Sequence, residues 1–292
     1  MFRLVLLAFT LALPAQAQTL QQQFDQINAV AQKYADLRAA RREGWRPFGG
    51  EVPLMGRHYQ NKKLSPDLSV KDRIDFAKPA NLVYATINGR QKLVALAYVV
   101  RRQPGEPMPV GFATSRDVWH VHDAAKILGA LSESRPLIGA IGSRWFNRNI
   151  RQGDGRSEIT MVHVWLIDNP KGRFASHNPR LAYLDLGLPD QRANDFDTAR
   201  GLALLQKNGC GNALDAHLWL AGASFRKSRQ IKSACRDIAA EIRAAAPSGI
   251  KTLEEKAKAG WRRLEDIQFM TLSDAERKRI SALVEPGPGV CN

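Results

Sequence analysis

Six histidines are the residues of this chain best suited to chemistry, and four of them stand in suggestive settings. His163 occupies the middle of Ile159–Ile167, the greasiest run beyond the N-terminus. Side chains of a strand alternate between faces, so His163 would share one face with Ile159, Met161, Trp165 and Ile167. Both faces are largely apolar, which predicts a strand covered on both sides. An imidazole buried there without a partner would cost about 1–3 kcal/mol, so something must meet it. His120 and His122 are two apart in Asp117–His122, read as a short extended piece. They would point the same way, as when one strand offers two nitrogen ligands to one metal. His58 follows Met55-Gly56 and would come in from a loop.

Three imidazoles in one site would suit Zn, Cu or Fe, with Mn as a further option, and would leave a position open for water or substrate. Met55 and Met161 lie within three residues of His58 and His163, and a thioether there would favour copper. Asp123, next to His122, is the candidate for orienting a ligand or acting as a base. His177, beside Asn178-Pro179, reads as a turn residue, and His217 as half-buried packing on a helix. Gly222-Ala223-Ser224 lacks the glycine pattern and preceding strand of a nucleophile elbow, and no phosphate-cradling glycine loop is present.

The elements that must position these residues divide the chain. Leu20–Glu43 has apolar residues at helical spacing, with Gly44 ending the run. Gly44–Pro53 reads as a Gly- and Pro-rich loop. Leu82–Ile87 and Lys92–Val100 form a hairpin around Asn88-Gly89. Asp123 would cap a helix over Ala124–Leu131, and Glu133–Glu158 reads as a long irregular connection. From Asp195 onward the pattern is helical: Asp195–Lys207, Asn212–Ala223, Ser228–Ala246, Thr252–Asp266 and Ser273–Val284. The last two open on capping-box arrangements, Thr252 with Glu255 and Ser273 with Glu276. The expected fold is α+β: an antiparallel-rich sheet, a packed N-terminal helix and an all-α C-terminal region.

Residues 1–17 read as a signal peptide, with Arg3, an apolar core over Leu4–Leu13 and Ala15-Gln16-Ala17 as the cleavage site. The run is too short for a transmembrane anchor, and no later segment is long enough either. A periplasmic or secreted protein is expected, divided into an α+β domain over 18–190 and a helical region over 191–292. Of three cysteines, Cys210 and Cys235 flank a helical stretch and are candidates for a disulfide, which leaves Cys291 odd. The formal charge of +15 favours acidic partners, but the cations are scattered, and export removes nucleic acid as a target.

Met55-Gly56-Arg57-His58-Tyr59 resembles the Met-Gly-x-His-aromatic element of a group of exported bacterial proteins of uncharacterised function. His163-Val164-Trp165-Leu166, Asn169-Pro170-Lys171-Gly172-Arg173-Phe174 and Asn178-Pro179 resemble that group's second element, and Trp119-His120-Val121-His122-Asp123 an element of a longer subset. The resemblance covers roughly residues 45 to 190 and carries no activity. It implies that His58 and His163 are used together. The leading expectation is a soluble exported protein with a histidine-lined site for a transition metal or a small polar ligand. The alternative is a non-enzymatic envelope protein with structural histidines, whose basic surface docks on an acidic envelope component or a protein partner.

Overall fold

The computed structural model describes residues 19–65, 68–112, 118–137, 140–141 and 156–281. The proposed signal peptide and Cys291 lie outside these residues, as does most of the connection over 133–158. The architecture is α+β, built on a seven-stranded sheet ordered β1-β2-β4-β5-β7-β6, with β3 pairing parallel to β5. The strands are β1 (Arg46–Val52), β2 (Gly56–Gln60), β3 (Leu68–Ser69), β4 (Asn81–Ile87), β5 (Arg90–Arg102), β6 (His120–Asp123) and β7 (Glu158–Trp165). All other pairings are antiparallel.

The expected hairpin forms: β4 and β5 turn at Asn88-Gly89, whose φ values of 49° and 71° suit a primed turn. The segment Gly44–Pro53 does not remain a loop, because Arg46–Val52 pairs with β2 as an exposed edge strand. His58 accordingly sits on a strand, not a loop. Gly56 is required at the start of that strand. Its φ is +96°, and a Cβ there would lie 2.6 Å from the carbonyl oxygen of Tyr84.

The single helix expected over Leu20–Glu43 is two. Helix α1 (Leu20–Lys33) starts on a Thr19–Gln22 capping box, and α2 (Leu37–Arg42) starts anew on Asp36, which accepts from the Arg38 N–H at 2.9 Å. Local capping by Asp36 overrides the continuous apolar period. Ile27 and Val30 of α1 pack with Leu82, Tyr84, Leu96, Tyr98, Val162 and Val164 on one face of the sheet. On that face the Tyr84 hydroxyl donates to the Tyr34 carbonyl at 2.5 Å and the Tyr98 hydroxyl to that of Phe76 at 2.7 Å.

The opposite face carries Val83, Ala85, Ala95, Ala97, Met161 and Trp165, and Leu181 packs against it. Helices α3 (Ala124–Ser134) and α4 (Arg180–Leu186) lie against β7 and β4 respectively. The remainder of the helical region is α5 (Phe196–Ala203), α6 (Asn212–Ala221), α7 (Phe225–Ala244), α8 (Ile250–Thr271) and α9 (Asp274–Ser281). Helix α5 meets α8 so closely that a Cβ on Gly201 would overlap the Ala257 carbonyl. Cys210 and Cys235 form a disulfide across a 25-residue separation. The Ser273–Glu276 capping box forms, whereas Thr252 lies inside α8, which begins at Ile250 after a proline-containing turn. Among the described residues no helix is long and apolar enough to cross a membrane.

Candidate functional site

Strand pairing explains how distant histidines meet. Directly paired residues share a face, so register assigns the site from the backbone upward. His58 pairs with Val83, Val83 with Ala95, and Ala95 with Trp165. His163 pairs with Ala97, and its face-mate Met161 pairs with His120. His122 pairs with Ile159. All four expected histidines therefore project from the face opposite α1.

β2 and β7 stand three strand spacings apart, about 14 Å along a flat sheet. Yet Nε2 of His58 and Nε2 of His163 are 3.0 Å apart. The sheet curls, and Val83, Ala95 and Ala97 on the intervening strands leave room for the rings to converge.

The four rings form a chain of contacts. His58 meets His163 edge-on at 5.3 Å between centroids, and His120 stacks on His163 at 5.3 Å and 17°. His122 meets His120 edge-on at 5.1 Å. His163 is wholly buried and His120 is 5% exposed. Nδ1 of His163 and both ring nitrogens of His120 are buried without a hydrogen-bond partner among the described residues.

Burial disfavours the charged imidazolium and is the main cause of every shift in the cluster. It pushes His58 down to about 4, with His122 adding to the effect. It pushes His120 down to about 3, and His163 well below its ordinary value. His122 is lowered as well. Among the described residues no carboxylate contributes to the shifts of these four. At neutral pH the cluster is a set of uncharged nitrogen donors, with His163 and His120 buried and His58 and His122 half-buried at its edges.

Two residues of the site were not anticipated. His177 sits in the expected turn, but burial pushes it down to about 4 and its charge would bear on both His120 and His163. Asn81 is wholly buried, and by register it shares the face of His163, with Ala97 between them. Its period-two relation to Val83 and Ala85 was the available signal for a buried position. His217 stands apart on α6, as expected, and burial alone lowers it. Met161 shares the face of His163 and pairs with His120, while Met55 is half-buried in the turn before β2. The side chain of Asp123 lies outside the described residues.

The second sequence element packs beside the cluster, with the Trp165 ring 6.2 Å from that of His163. The Trp165 indole donates to the Ala175 carbonyl at 2.6 Å, and its backbone N–H to that of Arg173 at 2.9 Å. Asn178 is wholly buried; its backbone N–H donates to the Leu54 carbonyl at 2.7 Å and its amide to the Asp168 carbonyl at 3.0 Å. It ties the turn before His58 to the loop after His163. Asn169 adds a bond to the His177 carbonyl at 3.0 Å.

Among the described residues no group of three or more His, Cys, Asp or Glu side chains is set, as it stands, to clasp a metal ion. The rings pack as a cluster rather than as a finished ligand set. No protein-family model, curated protein or solved structure matches this chain.

Proposed function

We propose that this is an exported protein whose histidine cluster binds one transition-metal ion, with His58, His163 and His120 as the principal ligands. The observation that carries this reading is the 3.0 Å approach of two Nε2 atoms from residues 105 apart in sequence. Two imidazole nitrogens on a tetrahedral zinc ion lie about 3.3 Å apart, given metal–nitrogen bonds of about 2.0–2.1 Å. A hydrogen bond between neutral imidazoles also accounts for that contact. It leaves both ring nitrogens of His120 without a partner, each at a cost of about 1–3 kcal/mol, and an ion would take one of them.

Closing on an ion requires ring rotations, and the terminal torsion of histidine is soft. Uncharged donors are what a metal needs, since protons compete for the same lone pairs. Zinc, copper and iron all accept imidazole, and Met161 beside His120 favours copper among them. A site of this kind keeps a position for a small polar ligand. The disulfide and the resemblance to exported proteins support the proposed location outside the cytoplasm.

Titration of untagged, metal-free protein with Co(II) at pH 7.5 tests the reading through the visible absorption of the bound ion. One equivalent bound with a sharp endpoint is the expected result. A featureless, non-saturating titration would leave the histidines structural.

A further inference from the structure

Helices α7 and α8 pack side by side and are joined by residues 245–249, so the start of α7 lies beside the end of α8. Large apolar side chains gather at that end and stay outside the core. Phe225 opens α7 and is 75% exposed, while Phe269 and Met270 close α8 at 58% and 81%. Trp219, on the last turn of α6, is 42% exposed. Two shallow depressions meet at Ser224 and join these side chains into one surface. Trp219 and Phe225 line the first with Arg135, and Met270 lines the second with Arg226 and Lys227. Single exposed apolar side chains are ordinary, whereas a contiguous set marks a contact surface.

A cation stands on each of the three rings. The guanidinium of Arg229 lies 4.5 Å from the centroid of Phe225, that of Arg277 4.0 Å from Phe269, and that of Arg135 5.8 Å from Trp219. Lys227 and Arg277 are paired with Glu276 and Asp274. Arg135, Arg226 and Arg229 have no acidic partner among the described residues, and Nε of Arg135 is buried without a hydrogen bond. This interleaving of rings and cations decides the occupant. The core of a protein–protein interface is depleted of charge, and a protein docked here would bury a cation beside every ring. A second copy of the chain would set arginine against arginine. An anionic lipid surface suits both halves, because the rings enter the acyl boundary while the guanidinium groups stay level with the phosphates. The formal charge of +15 draws the protein toward such a surface.

We propose that this end of the helical region attaches the protein reversibly to anionic phospholipid membranes. Phe225, Met270, Phe269 and Trp219 insert, and Arg135, Arg226 and Arg229 contact the lipid phosphates. The surface is separate from the histidine cluster, which lies on the sheet, and does not depend on a metal there.

Co-sedimentation with vesicles tests the proposal, using untagged protein purified after export. Vesicles of phosphatidylglycerol and phosphatidylcholine in equal parts should retain the native protein at low salt and release most of it at about 1 M salt. Pure phosphatidylcholine should retain it at least about tenfold more weakly. Phe225→Ser combined with Met270→Ser should weaken retention on the anionic vesicles at least about tenfold, and Arg226→Gln combined with Arg229→Gln by as much. Val110→Ser removes an exposed apolar side chain outside the surface and should change nothing. Each of these positions is exposed, so the variants should fold, and circular dichroism checks that they do. No retention of the native protein on anionic vesicles would overturn the proposal, as would equal retention on neutral ones. Retention unchanged by Phe225→Ser with Met270→Ser would place the contact elsewhere and overturn it too. A native dimer that the same two substitutions convert to a monomer would assign the surface to a second copy instead.

Discussion

Replacing His163 by phenylalanine is expected to remove the metal and leave the metal-free fold within about 1 kcal/mol of the native protein. The substitution keeps a flat ring in the centre of β7. It removes a hydrogen bond to His58 worth about 0.5–1.5 kcal/mol, and it relieves an orphaned Nδ1 that costs about 1–3 kcal/mol. The slightly larger ring offsets part of that gain through overpacking. A residue that stabilises nothing in the empty protein but sits at its centre is what a functional site produces. Metal affinity should fall by at least a hundredfold, since even the outer partners of metal ligands contribute about 10–100-fold. Urea unfolding and Co(II) titration of the same preparation read both effects. A loss of more than about 3 kcal/mol with unchanged Co(II) binding would make His163 a structural residue.

Acid should unfold the metal-free protein early. Histidines of the unfolded chain titrate near 6.5, whereas burial pushes His58 and His177 down to about 4 and His120 to about 3, with His163 lowered too. Below pH 6.5 the unfolded chain takes up protons that the folded one refuses. Stability is therefore fully present above pH 6.5 and is lost as pH falls toward 4. A group that stays neutral in the folded chain while it protonates in the unfolded one contributes about 1.4 kcal/mol per pH unit, and all four act in the same direction. The lowered carboxylates, Asp72, Asp195 and Glu276 among them, act in the same direction but only at lower pH. Urea midpoints should drop steeply from pH 7 to 5, and His163→Phe should make the slope shallower. A flat profile over that range would mean that the imidazoles are not buried as described.

The parts of this architecture that depend on neighbours in sequence were legible from it. Asn88-Gly89 announced its hairpin, and Ser273 with Glu276 announced a helix start. Edge strand β1 was hidden because Pro47, Gly49 and Gly50 look like loop chemistry, and an exposed edge tolerates them. Thr252 misled because a capping box has the same pattern inside a helix as at its start. The alternation around His163 and the spacing of His120 and His122 gave the correct face. The curl that brings His58 across two intervening strands has no local signature. It arises from twist and from small residues such as Ala95 and Ala97, whose positions matter only once register is known. Asn81 and His177 escaped for the same reason. Each is ordinary in its own segment: Asn81 joins the face of His163 only through strand pairing, and His177 comes near the cluster only through the packing of its loop.

X-ray absorption of the zinc-loaded protein counts the imidazoles bound to one ion. Three nitrogen donors with imidazole scattering at about 2.0–2.1 Å are expected, falling to two in His58→Ala. A shell of oxygen alone, or a single imidazole unaffected by substitution of His58 or His163, would show that these rings gather for packing and hold no metal.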